Sequence, residues 1–261
     1  MKILVLIKKT PDTETKIELS ADQSSVDHSA TKFIINPYDE YAIEEALQIK
    51  EAQGSGEVII ASFSDSSCKD LIVKGLAMGG DRGVLVNNEG LESTDALGVA
   101  KVLKGLVSQE NPDLILCGKQ GIDDDNMQVG TMLAELLDLP HVNVANKVTI
   151  EGSSVTVERE VEGGQTEILK FEGPGIIGAN KSLNSPRYTS LPGIMKAKKK
   201  PFEIKTVDDL GVDRSSLESK VTISSFTYPQ EKPPGKVFQD KPIPEMVEEV
   251  VGLLRNEAKV L

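Results

Sequence analysis

The chain has 261 residues, 39% of them hydrophobic and 27% charged, which suits one large globular domain with an appendage and argues against disorder. Its formal net charge of -12 disfavours a general nucleic-acid-binding role, because neutralising phosphates needs a broad Lys and Arg surface. Two cysteines, Cys68 and Cys117, lack CxxC spacing, and the two histidines, His28 and His141, stand far from both in sequence. That is poor material for a zinc site or a disulfide framework, and both cysteines read as small buried or half-buried side chains.

At the amino terminus an apolar stretch, residues 3–7, is followed directly by Lys8-Lys9. It reads as a buried first strand rather than a secretory signal, and no run approaches the length that spans a membrane. A cytoplasmic protein without membrane insertion is expected, for a bacterial source. Apolar runs at 3–7, 58–63, 83–86 and 114–117 then alternate with helical patterns at 38–53, 66–78, 94–109 and 126–137. This alternation predicts βαβ units and an α/β fold built on a mostly parallel, doubly wound, Rossmann-like sheet covered on both faces. Asn36-Pro37 offers a capping side chain and a proline at the first helical position, with Asp39-Glu40 in the first turn. Val129, Met132, Leu133, Leu136 and Leu137 form one apolar helical stripe.

Beyond Pro140, segments 142–148, 154–161 and 166–171 alternate as strands do, with turns at Glu151-Gly152 and Gly163-Gly164, and predict a β-hairpin added to the sheet. Residues 174–179 read as another buried strand, and 184–201 as a loop holding Pro186, Pro192, Gly193 and a lysine cluster. Prolines abound from 228 to 244, and a helical pattern resumes at 244–258 through Met246, Val247, Val250, Val251 and Leu254. The expected organisation is a nucleotide-binding domain at 1–226, with a partner-recognition loop at 184–201, and an extended C-terminal arm at 227–261 that lies on a partner subunit or on its own domain.

No Walker A loop and no GxGxxG follows any predicted strand. Residues 114–131 nevertheless read as strand, glycine-containing turn, polar loop and helix start, the position where open α/β sheets hold ligands. Gly118 and Gly121 admit close backbone approach, and Gln128 and Thr131 are candidate donors to phosphate oxygens. Asp123, Asp124 and Asp125 are awkward beside a phosphate. They read either as caps of the following helix or, less well, as magnesium ligands. The loop 186–200 is apolar in its centre and basic at its end, either a solvated surface loop or a docking surface with a leucine anchor. No Ser-His-Asp, Cys-His or paired-carboxylate arrangement can be assembled, so no independent catalysis is expected.

These segments together resemble the β subunits of electron transfer flavoproteins over nearly the whole chain. The resemblance rests on the first strand to Lys8, on Asn36-Pro37 with Ala42-Ile43-Glu44-Glu45-Ala46, on Leu76-Ala77-Met78-Gly79 and Asp81-Arg82-Gly83, and on three more specific stretches. These are Gly118-Lys119-Gln120-Gly121-Ile122-Asp123-Asp124-Asp125, Val157-Glu158-Arg159-Glu160-Val161-Glu162-Gly163-Gly164, and Pro186-Arg187-Tyr188 with Leu191-Pro192 and Ile194-Met195-Lys196-Ala197-Lys198-Lys199-Lys200.

The resemblance implies a heterodimer whose α subunit holds most of one FAD, while this smaller chain holds a structural AMP. Carried over residue by residue, the AMP positions are Leu6; Asn36, Pro37, Tyr38 and Asp39; Phe63; and Gly121, Ile122, Asp123, Asp124, Asp125, Asn126, Met127, Gln128, Val129, Gly130, Thr131 and Met132. Leu6 and Phe63 offer only backbone or apolar contacts. Asn126-Met127 departs from the usual order, in which a small residue precedes asparagine. The loop matches the family's recognition loop, with Leu191, Pro192, Ile194, Met195 and Lys196 docking acyl-CoA dehydrogenases and related flavin dehydrogenases. Electrons then pass one at a time through FAD to a membrane quinone oxidoreductase. Asp124 and the basic loop resemble the AMP-holding type rather than the bifurcating type, in which a second FAD replaces AMP. A free-standing adenine-nucleotide-binding regulator or hydrolase is the alternative from another class.

Overall fold

A computed structural model describes all residues except Glu92 and Pro233. Strand β1 (Lys2–Leu6) is almost continuously apolar and buried, as a strand covered on both faces must be. A small antiparallel ribbon follows, β2 (Lys9–Pro11) paired with β5 (Phe33–Ile35), and β3 (Glu18–Leu19) pairs with β4 (Val26–Asp27) between them. Helices and strands then alternate: α1 (Pro37–Gln53), β6 (Glu57–Ser64), α2 (Lys69–Met78), β7 (Arg82–Asn87), α3 (Ala96–Glu110), β8 (Leu114–Gly118) and α4 (Val129–Leu137). The strands β9 (His141–Glu151), β10 (Ser154–Val161) and β11 (Gln165–Glu172) supply the expected hairpin addition. Then come β12 (Ile176–Ala179), α5 (Leu191–Ala197), β13 (Phe202–Lys205) and α6 (Ile243–Asn256).

Nine strands join in the order β11-β10-β9-β12-β8-β1-β6-β7-β13. Every ladder is parallel except the two that β10 makes with its neighbours. The chain builds outward from β1 through β6 and β7, then returns to place β8 on the other side of β1. That reversal opens a crevice at the carboxyl ends of β1 and β8, the topological switch point of a doubly wound sheet.

The two-residue period of β1 divides the core. Ile3 and Val5 pack with Ala42, Ile43 and Leu47 of α1 and Ile72 and Leu76 of α2. Leu4 and Leu6 face the other way, toward Leu103 and Leu106 of α3 and Leu133 of α4. A bulge marks the hairpin edge: β9 residues Asn143 and Val144 stand opposite Gly178 alone, and Val144 takes the left-handed φ of 60°. Gly178 is required there, since a Cβ on it would lie 1.8 Å from Asn143 Oδ1.

Three expected elements differ. The helix expected at 66–78 begins as a 3-10 turn, Ser66–Cys68, because Asp65 accepts from Ser67 N and starts the chain in that tighter turn. The helix expected from 126 begins only at Val129, since Asp125 and Met127 adopt left-handed φ values of 52° and 57° and break any helical path through them. The loop expected at 184–201 contains helix α5, started by Ser190, whose hydroxyl accepts from Gly193 N at 3.1 Å. Residues 218–242, Pro233 aside, form no helix or strand, and α6 leaves Ile243, Val247, Val251 and Leu254 exposed.

Candidate functional site

A cavity of about 600 Å³ occupies the crevice at the carboxyl ends of β1, β6 and β8. Buried Asp39, in the first turn of α1, holds its rim together. Its Oδ2 accepts from Lys8 N at 2.6 Å, and its Oδ1 accepts from Gly118 N at 2.8 Å and Asn36 Nδ2 at 3.0 Å. One carboxylate therefore ties the chain leaving β1 to the end of β8. Burial pushes its pKa up to about 7, against the opposing pull of these donors. Asn36 does not cap α1 as expected. Its Nδ2 also donates to Gln120 O at 2.8 Å, and its Oδ1 accepts from Ile122 N at 3.2 Å, so the side chain fastens the loop after β8 instead.

That loop carries the three aspartates, and they do not cap α4 either. Lys8 Nζ lies 2.7 Å from Asp123 Oδ1 and 3.0 Å from Asp124 Oδ2. Asp124 Oδ1 accepts from Asn126 N at 3.2 Å, and Asp125 is held by Gln120 Nε2. Burial alone would lower the Lys8 pKa, yet the hydrogen bonds it donates to Asp123 and Asp124, with their charges, outweigh that and raise the value. Asp124 shows the converse: burial would raise its pKa, and Lys8 together with the hydrogen bonds from Asn126 outweighs that and lowers it. One cation from just past the end of β1 thus offsets part of the charge of this acidic stretch.

Of the carried-over positions, Leu6, Asn36, Asp39, Phe63, Gly121, Asp124, Asn126, Met127, Gln128, Val129 and Gly130 line the cavity. Pro37, Tyr38, Ile122, Asp123, Asp125, Thr131 and Met132 do not line it, and of these Asp123, Asp125 and Thr131 are exposed to solvent. Tyr38 sits under the Lys119 ammonium, 5.1 Å from ring centre to Nζ. The Thr131 hydroxyl donates to Met127 O at 3.4 Å, and Met132 packs into the core beneath α4.

Two wall segments escaped sequence reasoning. Lys8 is one, although its place just past the end of β1 is where such sheets present ligand-facing residues. The other is an extended strap in which Ser219, Val221 and Ile223 face the cavity at alternate positions. Its backbone is pinned by Lys220 N donating to Asp95 Oδ2 at 2.7 Å, while Asp95 Oδ1 caps α3 through Gly98 N at 2.9 Å. The alternation of Val221 and Ile223 is visible in the sequence, but nothing local places it at the cavity. Leu6, Phe63, Val99, Leu103, Val221 and Ile223 give the cavity apolar lining, and Lys8, Asp95, Gln120, Asp124, Asn126 and Gln128 give it polar lining. Such a mixed space suits an amphiphilic ligand. Cys117 also borders it, and burial followed by the Asp39 charge pushes its thiol up to about 12, so it stays protonated near neutral pH.

The electron transfer flavoprotein domain family matches residues 24–210. The chain is 43% identical to the electron transfer flavoprotein subunit beta of Bradyrhizobium diazoefficiens, with all of both chains aligned. It is 42% identical to the Bacillus subtilis subunit beta over 100% of both chains, and 41% identical to that of Mus musculus over 100% of this chain and 99% of the other. The chain belongs to the electron transfer flavoprotein β-subunit family. The resemblance carried by the motifs at 118–125, 157–164 and 186–200 is therefore a true family relationship.

In this family member, α5 presents the residues carried over for docking. Leu191 and Met195 are 80% and 73% exposed, and neighbouring Tyr188 is 99% exposed. Pro192, Ile194 and Lys196 are exposed beside them, with Lys198 and Lys199 continuing the basic stretch. The helix sits directly on the end of α2, where a Cβ on Gly193 would lie 2.8 Å from Ala77 O. The loop thus ends in an apolar tip flanked by cations. Among the described residues there is no group of three or more His, Cys, Asp or Glu that could hold a metal ion, and no helix is long and apolar enough to cross a membrane.

Proposed function

We propose that this chain is the β subunit of a heterodimeric electron transfer flavoprotein, paired with an α subunit that holds most of one FAD. It keeps AMP in the cavity between β1 and β8 and docks acyl-CoA dehydrogenases through the Leu191 loop, with electrons passing on toward a membrane quinone oxidoreductase. In a bacterial source the complex works in the cytoplasm. The observation that carries the reading is the cavity itself, which lies at the switch point of the sheet and is lined by both apolar and polar side chains.

The residues present fit a nucleoside monophosphate. Leu6, Phe63 and Val99 suit the base, while Lys8, Gln128 and the first amides of α4 suit a phosphate. Gly118 and Gly121 let the walls of the cradle pack closely against each other. A Cβ on Gly118 would lie 2.4 Å from Asp39 Oδ1, and one on Gly121 would lie 2.5 Å from Asp123 Oδ1. Asp124, bound to Lys8 at the cavity wall, supports AMP over a second FAD. FAD, when bound in the complex, supplies the redox chemistry. This chain's own residues bind, scaffold and dock, and none is assigned a catalytic step.

The test is co-expression with the α subunit, followed by mixing with an acyl-CoA dehydrogenase reduced by its substrate. A yellow heterodimer whose flavin is bleached by the reduced dehydrogenase, and more slowly with Leu191→Ala, is the expected result. A colourless, stable monomer that hydrolyses or senses ATP would overturn the assignment.

A further inference from the structure

We propose that Arg187 is the positioning residue that sets the Leu191 helix in its docking orientation, an inference that rests on the docking role given to that loop. The loop is free only in its middle. At its start, the Arg187 guanidinium grips two carboxylates of α1 at once. Its Nε and Nη2 donate to Glu44 at 2.8 and 3.0 Å, and its Nη1 and Nη2 donate to Glu51 at 2.6 and 3.1 Å. The Arg187 backbone N donates to Glu44 Oε2 at 3.1 Å as well, so the main chain and the side chain are fixed by one nearly buried acid. Gln48 Nε2 holds that acid in turn, 2.9 Å from Glu44 Oε1. Such forked pairing fixes direction as well as distance, which a point charge cannot do.

Neighbouring groups serve the same end. Asn184 Nδ2 donates to Tyr41 O at 3.0 Å and to Glu45 Oε2 at 2.9 Å. At the far end, Lys200 Nζ donates to Leu76 O at 2.9 Å and Gly80 O at 2.5 Å, closing the carboxyl end of α2. Ala197 is buried beneath. Between these anchors Tyr188, Leu191 and Met195 stand in solvent. A surface that keeps exposed apolar groups while its base is clamped at both ends is ordered before its partner arrives, and so loses less freedom on docking. Of the anchors, Arg187 lies next to exposed Tyr188 and makes the most hydrogen bonds. α1 therefore serves two sites, with its first turn at the nucleotide cradle and Glu44 and Glu51 farther along at the docking loop.

The experiment uses the heterodimer with bound FAD, reduced by an acyl-CoA dehydrogenase and its acyl-CoA substrate, comparing wild type with Arg187→Gln, Arg187→Lys, Glu51→Gln and Leu191→Ala. Hydrogen exchange of the Ile194 and Lys199 amides, which bond within the loop, is followed without dehydrogenase. For Arg187→Gln the KM for the heterodimer is expected to rise about fivefold to tenfold, with kcat within about twofold, as loss of pre-ordering predicts. Exchange of the two amides accelerates at least about tenfold, and the flavin and nucleotide contents do not change. Arg187→Lys falls between, since an ammonium reaches one carboxylate and not both, and Glu51→Gln, which spares the buried acid, gives a smaller shift in the same direction. If Leu191→Ala leaves KM unchanged, the docking role itself fails. If Leu191→Ala raises KM while Arg187→Gln alters neither KM nor exchange, or if Arg187→Gln lowers kcat with loss of flavin and no rise in KM, the positioning role is overturned.

Discussion

Lys8 Nζ stands 2.7 Å from Asp123 Oδ1, joining the chain just beyond β1 to a loop 115 residues later. This contact offsets part of the charge of an acidic stretch that is unfavourable beside a phosphate. Exposed pairs of this kind add only about 0 to 1 kcal/mol to stability. Lys8→Ala is therefore expected to leave thermal unfolding nearly unchanged while the heterodimer loses its nucleotide at least about tenfold faster, as expected for removing a charge-assisted partner worth about 1.5 to 3 kcal/mol. Dissociation measured by dilution into excess labelled AMP checks this, and an unchanged rate speaks against Lys8 at the phosphate end.

Gly118 lies where two walls of the cradle meet, and a Cβ there would come within 2.6 Å of Tyr38 Cβ as well as against Asp39. Gly118→Ala should force the first turn of α1 away from β8. The expected cost is about 1 to 3 kcal/mol by chemical denaturation, together with loss of bound nucleotide. Full nucleotide retention would show that the cradle tolerates that displacement.

Asp95 joins the cap of α3 to the strap through its two carboxylate oxygens. Asp95→Ala removes the cap, at a cost of about 1 kcal/mol, and frees Lys220 N. Faster nucleotide release is expected, with Val221→Ser, which leaves the cap intact, shifting release in the same direction without the stability loss. Release rates matching wild type in both variants would exclude the strap as part of the site.

Asp39 gives the pH dependence. Its folded pKa, pushed up to about 7 by burial, lies above that of an unfolded aspartate, so the folded state keeps a proton that the unfolded chain has released. Its contribution to stability therefore falls as pH rises from about 4 to about 7, with a slope approaching 1.4 kcal/mol per pH unit. Asp39→Asn removes this titration and also turns amide hydrogens toward backbone donors, so the variant is less stable throughout. The wild-type advantage in unfolding free energy should nevertheless shrink across that window. An advantage that is flat or grows with pH would contradict the assignment.

Much of this architecture was legible because it is locally encoded. The largely apolar runs of β1, β6 and β8 and the helical stripe at Val129, Leu133 and Leu136 announce a doubly wound sheet from periodicity alone. The turns at Gly152 and at Gly163, where φ is positive, mark the hairpin addition. What stayed hidden depends on distant partners. Asn36 and the three aspartates carry strong capping signals, yet their side chains are taken by Gln120, Ile122 and Lys8, contacts that only the sheet order creates. Left-handed Met127 was equally invisible, since nothing in its side chain favours that backbone state, and it delayed α4. The strap at Ser219, Val221 and Ile223 reaches the site only through the return of the chain past Asp95.

The most direct test is chromatographic identification of the nucleotides released from the purified heterodimer. One AMP and one FAD per pair, with AMP lost and FAD kept in Lys8→Ala, is the expected outcome. Two FAD and no AMP, or AMP content indifferent to changes at Lys8 and Gly118, would show that the cavity between β1 and β8 is not the AMP site.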